Sequence, residues 1–239
     1  MSYTEALNVF SPDGRLIQVE YAHHASEQGS LITANVTTGA VIICIEKKTA
    51  IKNLISKSKL LKVAENIYFS YSGLASDAQT IFTRLSLFYH NYKIETDTYP
   101  DISLLAMELG VIKFKYTIEG GKRPFGVRSI LVGFDDKPRV FIIEPDGNYG
   151  EYNNATLGYK NDKVEFNKVE VQNKHVTLHK KDETISSDLT NVVYNDLSMT
   201  VKSMSDAIKI DHKRIECFIV TKENCYLVSE DTIKDIINE

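Results

Sequence analysis

Apolar positions along the chain change period several times, and each change marks an element. Ile17, Tyr21 and Ala25 recur at i, i+4 and i+8, the spacing of one helical face, and predict a helix from Leu16 to near Gly29. The turn Phe10-Ser11-Pro12-Asp13-Gly14 precedes it, with proline presetting φ and glycine supplying a permissive dihedral. The pattern then becomes β-like. Residues 31–36 and 40–46 flank Thr37-Thr38-Gly39 and predict a hairpin, and the aromatic alternation of 66–72 predicts another strand.

Two helical stretches follow. Ser76-Asp77 is expected to cap a helix carrying Ile81, Leu85, Phe88 and Tyr92 on one face. Residues 101 to about 116 carry Leu104, Leu105, Leu109 and Ile112, and Gly120-Gly121 breaks the pattern. Strands are predicted over 128–134, 139–144 and 149–152, the last two joined by the turn Pro145-Asp146-Gly147-Asn148. Residues 158–184 are polar, rich in Lys and Asn, and carry no assignable element. Ser187-Asp188 is expected to cap a helix with Leu189, Val192, Val193, Leu197 and Val201. Strands 215–221 and 225–228 precede a last helix starting at Ser229, with Glu230 and Asp231 in its first turn, where carboxylates suit the dipole. Runs of strands separated from runs of helices indicate α+β, with antiparallel sheets layered between helices. The βαβ alternation of a parallel sheet is absent. No repeat, linker or low-complexity block divides the chain, so residues 1–239 are expected to form a single domain.

Composition narrows the function classes. With 43% hydrophobic and 25% charged residues, a disordered chain is excluded. A net charge of −4 argues against nucleic acid or an anionic membrane as partner. No uncharged apolar run approaches the ~18 residues of a membrane span. Cys44, Cys217 and Cys225 are odd in number and read as reduced thiols rather than a disulfide framework. No basic segment followed by an apolar one opens the chain, so no secretory signal is expected and a cytoplasmic and nuclear location is.

Tests for chemistry return little. Gly121-Lys122 fails the phosphate-loop spacing, with Tyr116 where glycine is needed and Arg123 after the lysine. His175 and His179 are four apart but lack the glutamate of a zinc protease, and the adjacent His23-His24 diverge by about 100° on a helix. Ser70-Tyr71-Ser72-Gly73-Leu74 lacks the flanking glycines of a nucleophile elbow. Neither cofactor nor metal is expected.

The run from Phe10 to Ala25, FSPDGRLIQVEYAHHA, resembles the N-terminal signature of proteasome α subunits. Tyr71-Ser72-Gly73-Leu74 with Asp77-Ala78, then residues 121–127 (GKRPFGV), then residues 144–149 (EPDGNY) agree with the family in order. Ser2-Tyr3 and Lys115-Tyr116-Thr117 look most like the α4 type, although the α2 type shares the second run. The resemblance implies a four-layer αββα sandwich, the N-terminal-nucleophile hydrolase fold, over residues 30–239, behind a gate tail and signature helix in 1–29. It implies a member of the heptameric outer ring of the core particle, in ubiquitin-dependent and ATP-dependent protein degradation. Its partners would be neighbouring α subunits, β-ring subunits, and the C-terminal tails of the regulatory particle or other activators.

The family's β subunits hydrolyse peptides with an N-terminal threonine whose free amine acts as base. Here the matching strand begins near Ser30, behind 29 residues, and Gly29-Ser30 is similar to the processing site. Two readings follow: a non-catalytic subunit, and a self-processing N-terminal-nucleophile hydrolase that exposes Ser30 on cleavage. Family gate tails carry Tyr-Asp-Arg, the tyrosine packing near the turn proline and the helix tyrosine; these match Tyr3, Pro12 and Tyr21. Thr4 and Glu5 replace the acid and base, so an Asp–Arg contact between tails is not available and a weaker gate contribution is expected. Activator tails ending in hydrophobic-Tyr-X place their carboxylate on a lysine between adjacent α subunits. The match is Lys59, with Leu16, Gly29 and Leu74 at the other pocket positions; the bland alternative is a solvated cation among Lys57, Lys59 and Lys62.

Overall fold

A computed structural model describes residues 9–48, 58–167, 176–180, 183–187 and 191–238. The expectations for Tyr3, Thr4, Glu5, Lys57, His175, Asp188 and Leu189 therefore lie outside the described residues. The elements in order are α1 (Ile17–Glu27), β1 (Ile32–Thr37), β2 (Ala40–Glu46), β3 (Leu61–Ala64), β4 (Ile67–Gly73), α2 (Ala75–Thr96), α3 (Ile102–Ile118), β5 (Val127–Phe134), β6 (Pro138–Ile143), β7 (Tyr149–Glu151), β8 (Asn154–Leu157), β9 (Val176–Lys180), β10 (Glu183–Ser187), α4 (Asn191–Ile208), β11 (Ile215–Thr221), β12 (Cys225–Val228) and α5 (Glu230–Asn238).

The strands form two antiparallel sheets, one ordered β10-β9-β12-β11-β2-β1-β8 and the other β3-β4-β5-β6-β7. Between them lie Ile32, Ala34, Val41, Ile43 and Ile45 from the first sheet and Ile130, Val132, Val140 and Ile142 from the second. The outer face of the first sheet packs Ile42, Cys44, Cys217 and Ile219 against Leu197, Val201 and Met204 of α4 and Ile233 and Ile236 of α5. The second sheet packs Phe69, Leu131 and Phe141 against Ile81 and Leu85 of α2 and Leu105 and Leu109 of α3. Three apolar layers between four structural layers make the αββα sandwich. Every residue of β2 is buried, because its two faces both meet a core, and this is why its sequence reads as an unbroken apolar run.

Two caps differ from expectation. Ser76-Asp77 does not cap α2; the residue before that helix is Leu74, which has no side-chain cap, and Asp77 is committed to a different ion pair. Ser187 is the last residue of β10 rather than a helix cap. At α3 the Asp101 carboxylate does accept from the Leu104 amide at 2.7 Å, and at α5 the Ser229 hydroxyl accepts from the Thr232 amide at 3.2 Å.

Lys113 of α3 is the largest departure from an apolar core. Its side chain has no exposure, and its ammonium donates to the carbonyls of Val127 (2.9 Å) and Ile143 (2.7 Å). Burial pulls its pKa down to about 7, against the opposing pull of Glu144 and Asp146.

Candidate functional site

Helix α1 ends against the second sheet through contacts that demand small residues. The Ser72 hydroxyl of β4 donates to the carbonyl of Ser26 at 2.9 Å, satisfying one of the orphan acceptors at the helix end. A Cβ at Gly29 would collide with the Gly73 amide and the Ser72 hydroxyl, so only glycine permits this approach. A Cβ at Gly158, at φ +93°, would likewise collide with the Ser30 carbonyl, and the next amide, Tyr159, donates to the Gly29 carbonyl at 3.2 Å. The 28–31 segment is therefore walled on both sides by backbone.

Ser30 has no solvent exposure. Its hydroxyl lies 2.6 Å from the ammonium of Lys59, which also stands 5.5 Å from the centre of the Tyr71 ring. Burial lowers the Lys59 pKa, the nearby Lys48 charge lowers it further, and Glu46 opposes both. Lys48 donates to the Gln28 carbonyl at 2.8 Å and lies over the Tyr159 ring at 5.9 Å. Glu46 is 5% exposed; its carboxylate accepts from the Leu31 amide (3.1 Å) and from Arg214 (2.8 Å).

Of the residues singled out by sequence, Gly29 and Lys59 converge on Ser30. Leu74 follows Gly73, the residue that abuts Gly29; Leu74 N donates to Gly126 O at 3.1 Å, and Gly126 also faces Ala25 of α1. Its side chain is 46% exposed, available to a partner. Leu16 is the residue before α1, and its carbonyl accepts from Val19 and Glu20 at the helix's other end. Pro12 lies in the turn closed by Gly14 N to Ser11 O (2.8 Å), with Gly14 at φ +77°, and Tyr21 is half-exposed on α1. Arg15 pairs with Glu20 through both guanidinium and carboxylate edges, tying the turn to the first turn of the helix.

Sequence reasoning missed Lys48, Glu46 and the ion pair that seats the β4–α2 corner. There Asp77 receives two 2.7 Å bonds from Arg123 and one from the Gly126 amide at 3.1 Å. Burial of the Asp77 carboxyl alone would raise its pKa, but these donors outweigh it and hold the group below the usual carboxylate value. Asp77-Ala78 and residues 121–127 were legible only as separate motifs; the salt bridge is what joins them. Among the described residues no cluster of His, Cys, Asp and Glu is arranged to hold a metal ion.

The proteasome-subunit family model matches residues 26–191, and the model of the N-terminal signature of A-type proteasome subunits matches residues 3–25. The alpha type-7 proteasome subunit of Dictyostelium discoideum is 26% identical over 240 residues, covering 98% of this chain and 90% of its own length. Its alpha type-7 counterpart in Trypanosoma brucei brucei is 34% identical over 168 residues, 69% of this chain and 68% of its own. The alpha type-4 proteasome subunit of Saccharomyces cerevisiae is 26% identical over 228 residues, 93% and 85% respectively.

Proposed function

The chain belongs to the proteasome α-subunit family, and from that premise we propose that it is a non-catalytic ring subunit that bears part of the pore gate and docks activator tails. One observation carries the reading: Ser30, the residue at the nucleophile's place, is closed off by Gly158-Tyr159 and has no exposure, while Lys59 beside it is the cation a tail carboxylate needs. In the uncleaved chain a substrate carbonyl has no approach to a hydroxyl so enclosed, and the half-exposed Leu74 would offer apolar surface to a tail. Residues 1–29 would supply the tail and signature helix, with Tyr3, Pro12 and Tyr21 as the gate cluster. The location would be cytoplasmic and nuclear, and the role ubiquitin-dependent degradation. Replacing Lys59 with alanine in the assembled particle is expected to abolish stimulation of fluorogenic-peptide hydrolysis by activator C-terminal peptides. Undiminished stimulation refutes the docking reading.

A second reading draws on the same contact. An amine with a lowered pKa 2.6 Å from a serine hydroxyl is also how a nucleophile is activated, so Ser30 could serve a self-processing hydrolase once a free amine exists. Intact mass of the native protein separates the two: a chain retaining residues 1–29 rejects the hydrolase.

A further inference from the structure

We propose that Lys48 is a second cation of the tail-docking site, so that a peptide α-carboxylate is shared between Lys59 and Lys48; the inference rests on the docking reading above. Three observations converge. Both ammonium groups are anchored on the same three-residue stretch, Lys48 on the carbonyl of Gln28 and Lys59 on the hydroxyl of Ser30. Each stands over a tyrosine ring, Tyr159 and Tyr71, at 5.9 and 5.5 Å from the ring centre. The buried carboxylate whose charge acts on Lys59, Glu46, already has its two oxygens taken by Arg214 and the Leu31 amide, so it forms a direct ion pair with neither lysine.

The two lysines are close enough for the charge of Lys48 to lower the proton affinity of Lys59, and an anion bound between them would relieve that repulsion. The oxygens that hold them are weak, neutral acceptors, and a carboxylate exchanging for them would place a full negative charge where only dipoles stand. Lys48 also lies at the C-terminal end of α1, where its amine donates to the carbonyl of the C-cap residue Gln28 and suits the helix dipole while remaining exposed. Lys59 is the desolvated and positioned partner; Lys48 is the exposed one. Its contribution is expected to be smaller and more sensitive to salt.

The test uses the assembled core particle and an eight-residue peptide ending in Leu-Tyr-Ala with an N-terminal benzophenone. Occupancy of this site is then read by photo-crosslinking and mass spectrometry. Lys48→Gln is expected to raise the half-saturating concentration about threefold to fivefold at low salt, the scale of one partly exposed charge pair. Lys48→Arg should restore the wild-type value, and the difference should shrink at 0.5 M salt. The same peptide with a C-terminal amide should not distinguish wild type from Lys48→Gln. A loss in Lys59→Gln without one in Lys48→Gln overturns the inference and leaves the docking reading standing. No loss in either variant overturns both. An equal loss of the amide peptide in Lys48→Gln overturns the carboxylate assignment, because it would mean that the pocket had changed shape.

Discussion

Replacing Lys113 with methionine tests whether the α3 core holds a neutral lysine at physiological pH. In the folded chain its pKa falls to about 7 from the ordinary 10.5. Between those values the unfolded chain binds the proton and the folded chain has released it, so stability rises with pH through this window. At pH 7 the mismatch costs the folded state about 4 kcal/mol, and at pH 9.5 about 1 kcal/mol, from the two-state linkage relation with these values. Methionine is close in volume and removes the titrating group. It also leaves the Val127 and Ile143 carbonyls each short of a donor, at a pH-independent cost of about 1–3 kcal/mol apiece. The absolute difference between the two proteins is therefore small and of either sign at pH 7. Its pH dependence is not: the wild type should gain about 3 kcal/mol on the variant between pH 7 and 9.5. Urea denaturation of the isolated chains at half-unit pH steps measures it, with other titrating groups cancelling in the difference. Curves that stay parallel within about 0.5 kcal/mol would refute a neutral buried lysine, given a maximal slope of about 1.4 kcal/mol per pH unit.

Asp77→Asn should cost about 2 kcal/mol at pH 7, less than a wholly buried pair because the Arg123 side chain is 55% exposed. Since the folded carboxyl pKa is depressed, that stability is present above the unfolded value near 3.9 and disappears as pH falls through the lower folded value; the urea midpoints of wild type and variant should differ at pH 7 and draw together as the pH is lowered below the unfolded value. Gly29→Ala should prevent α1 from seating, because the new Cβ meets backbone rather than a yielding side chain; a loss above about 3 kcal/mol or failure to enter the ring, read by native gel, is expected, and a stable assembled variant would contradict the close approach. Cys44 and Cys217 are buried and burial raises the Cys217 thiol, while Cys225 is pushed up to about 12, so a thiol reagent should label none of the three quickly in the native chain at pH 7.5. A fast-labelling site would contradict the packing of the first sheet.

The period of the apolar residues located the long helices and the central strands to within a few positions. It succeeded where one physical rule acts alone: β11 and β12 are bounded by turn residues, and α3 by Asp101 and Gly120-Gly121. It missed β3 and β8, four residues each, whose alternation is too short to register and whose identity depends on neighbours β4 and β1. It missed the β9–β10 pair because polar residues at a sheet edge look like loop. The Ser76-Asp77 error has the same root. A carboxylate before a helix is a good cap locally, but Arg123, 46 residues away, offered a stronger charge-assisted partner, and no local pattern contains that competition. The site behaved likewise: Gly29 and Lys59 were legible through motifs, whereas Lys48 and Glu46 acquire meaning only from the register that sets β2 beside β11 and Arg214.

That register links assembly to docking. Glu46 closes β2 onto Arg214 and onto the Leu31 amide, which fixes the start of β1 and so the height of Ser30. Ser30 in turn fixes the Lys59 ammonium, and Gly29 fixes the end of α1 against Ser72 and Gly73. A force on Lys59 therefore has a short, stiff route to α1, since each intermediate step is a hydrogen bond or backbone contact in a packed interior. Under the docking reading, a carboxylate that takes Lys59 from Ser30 relaxes one end of that chain of contacts. The helix that carries Tyr21 and leads back to the Pro12 turn is its other end, so gate and dock would share one mechanical element rather than two independent surfaces.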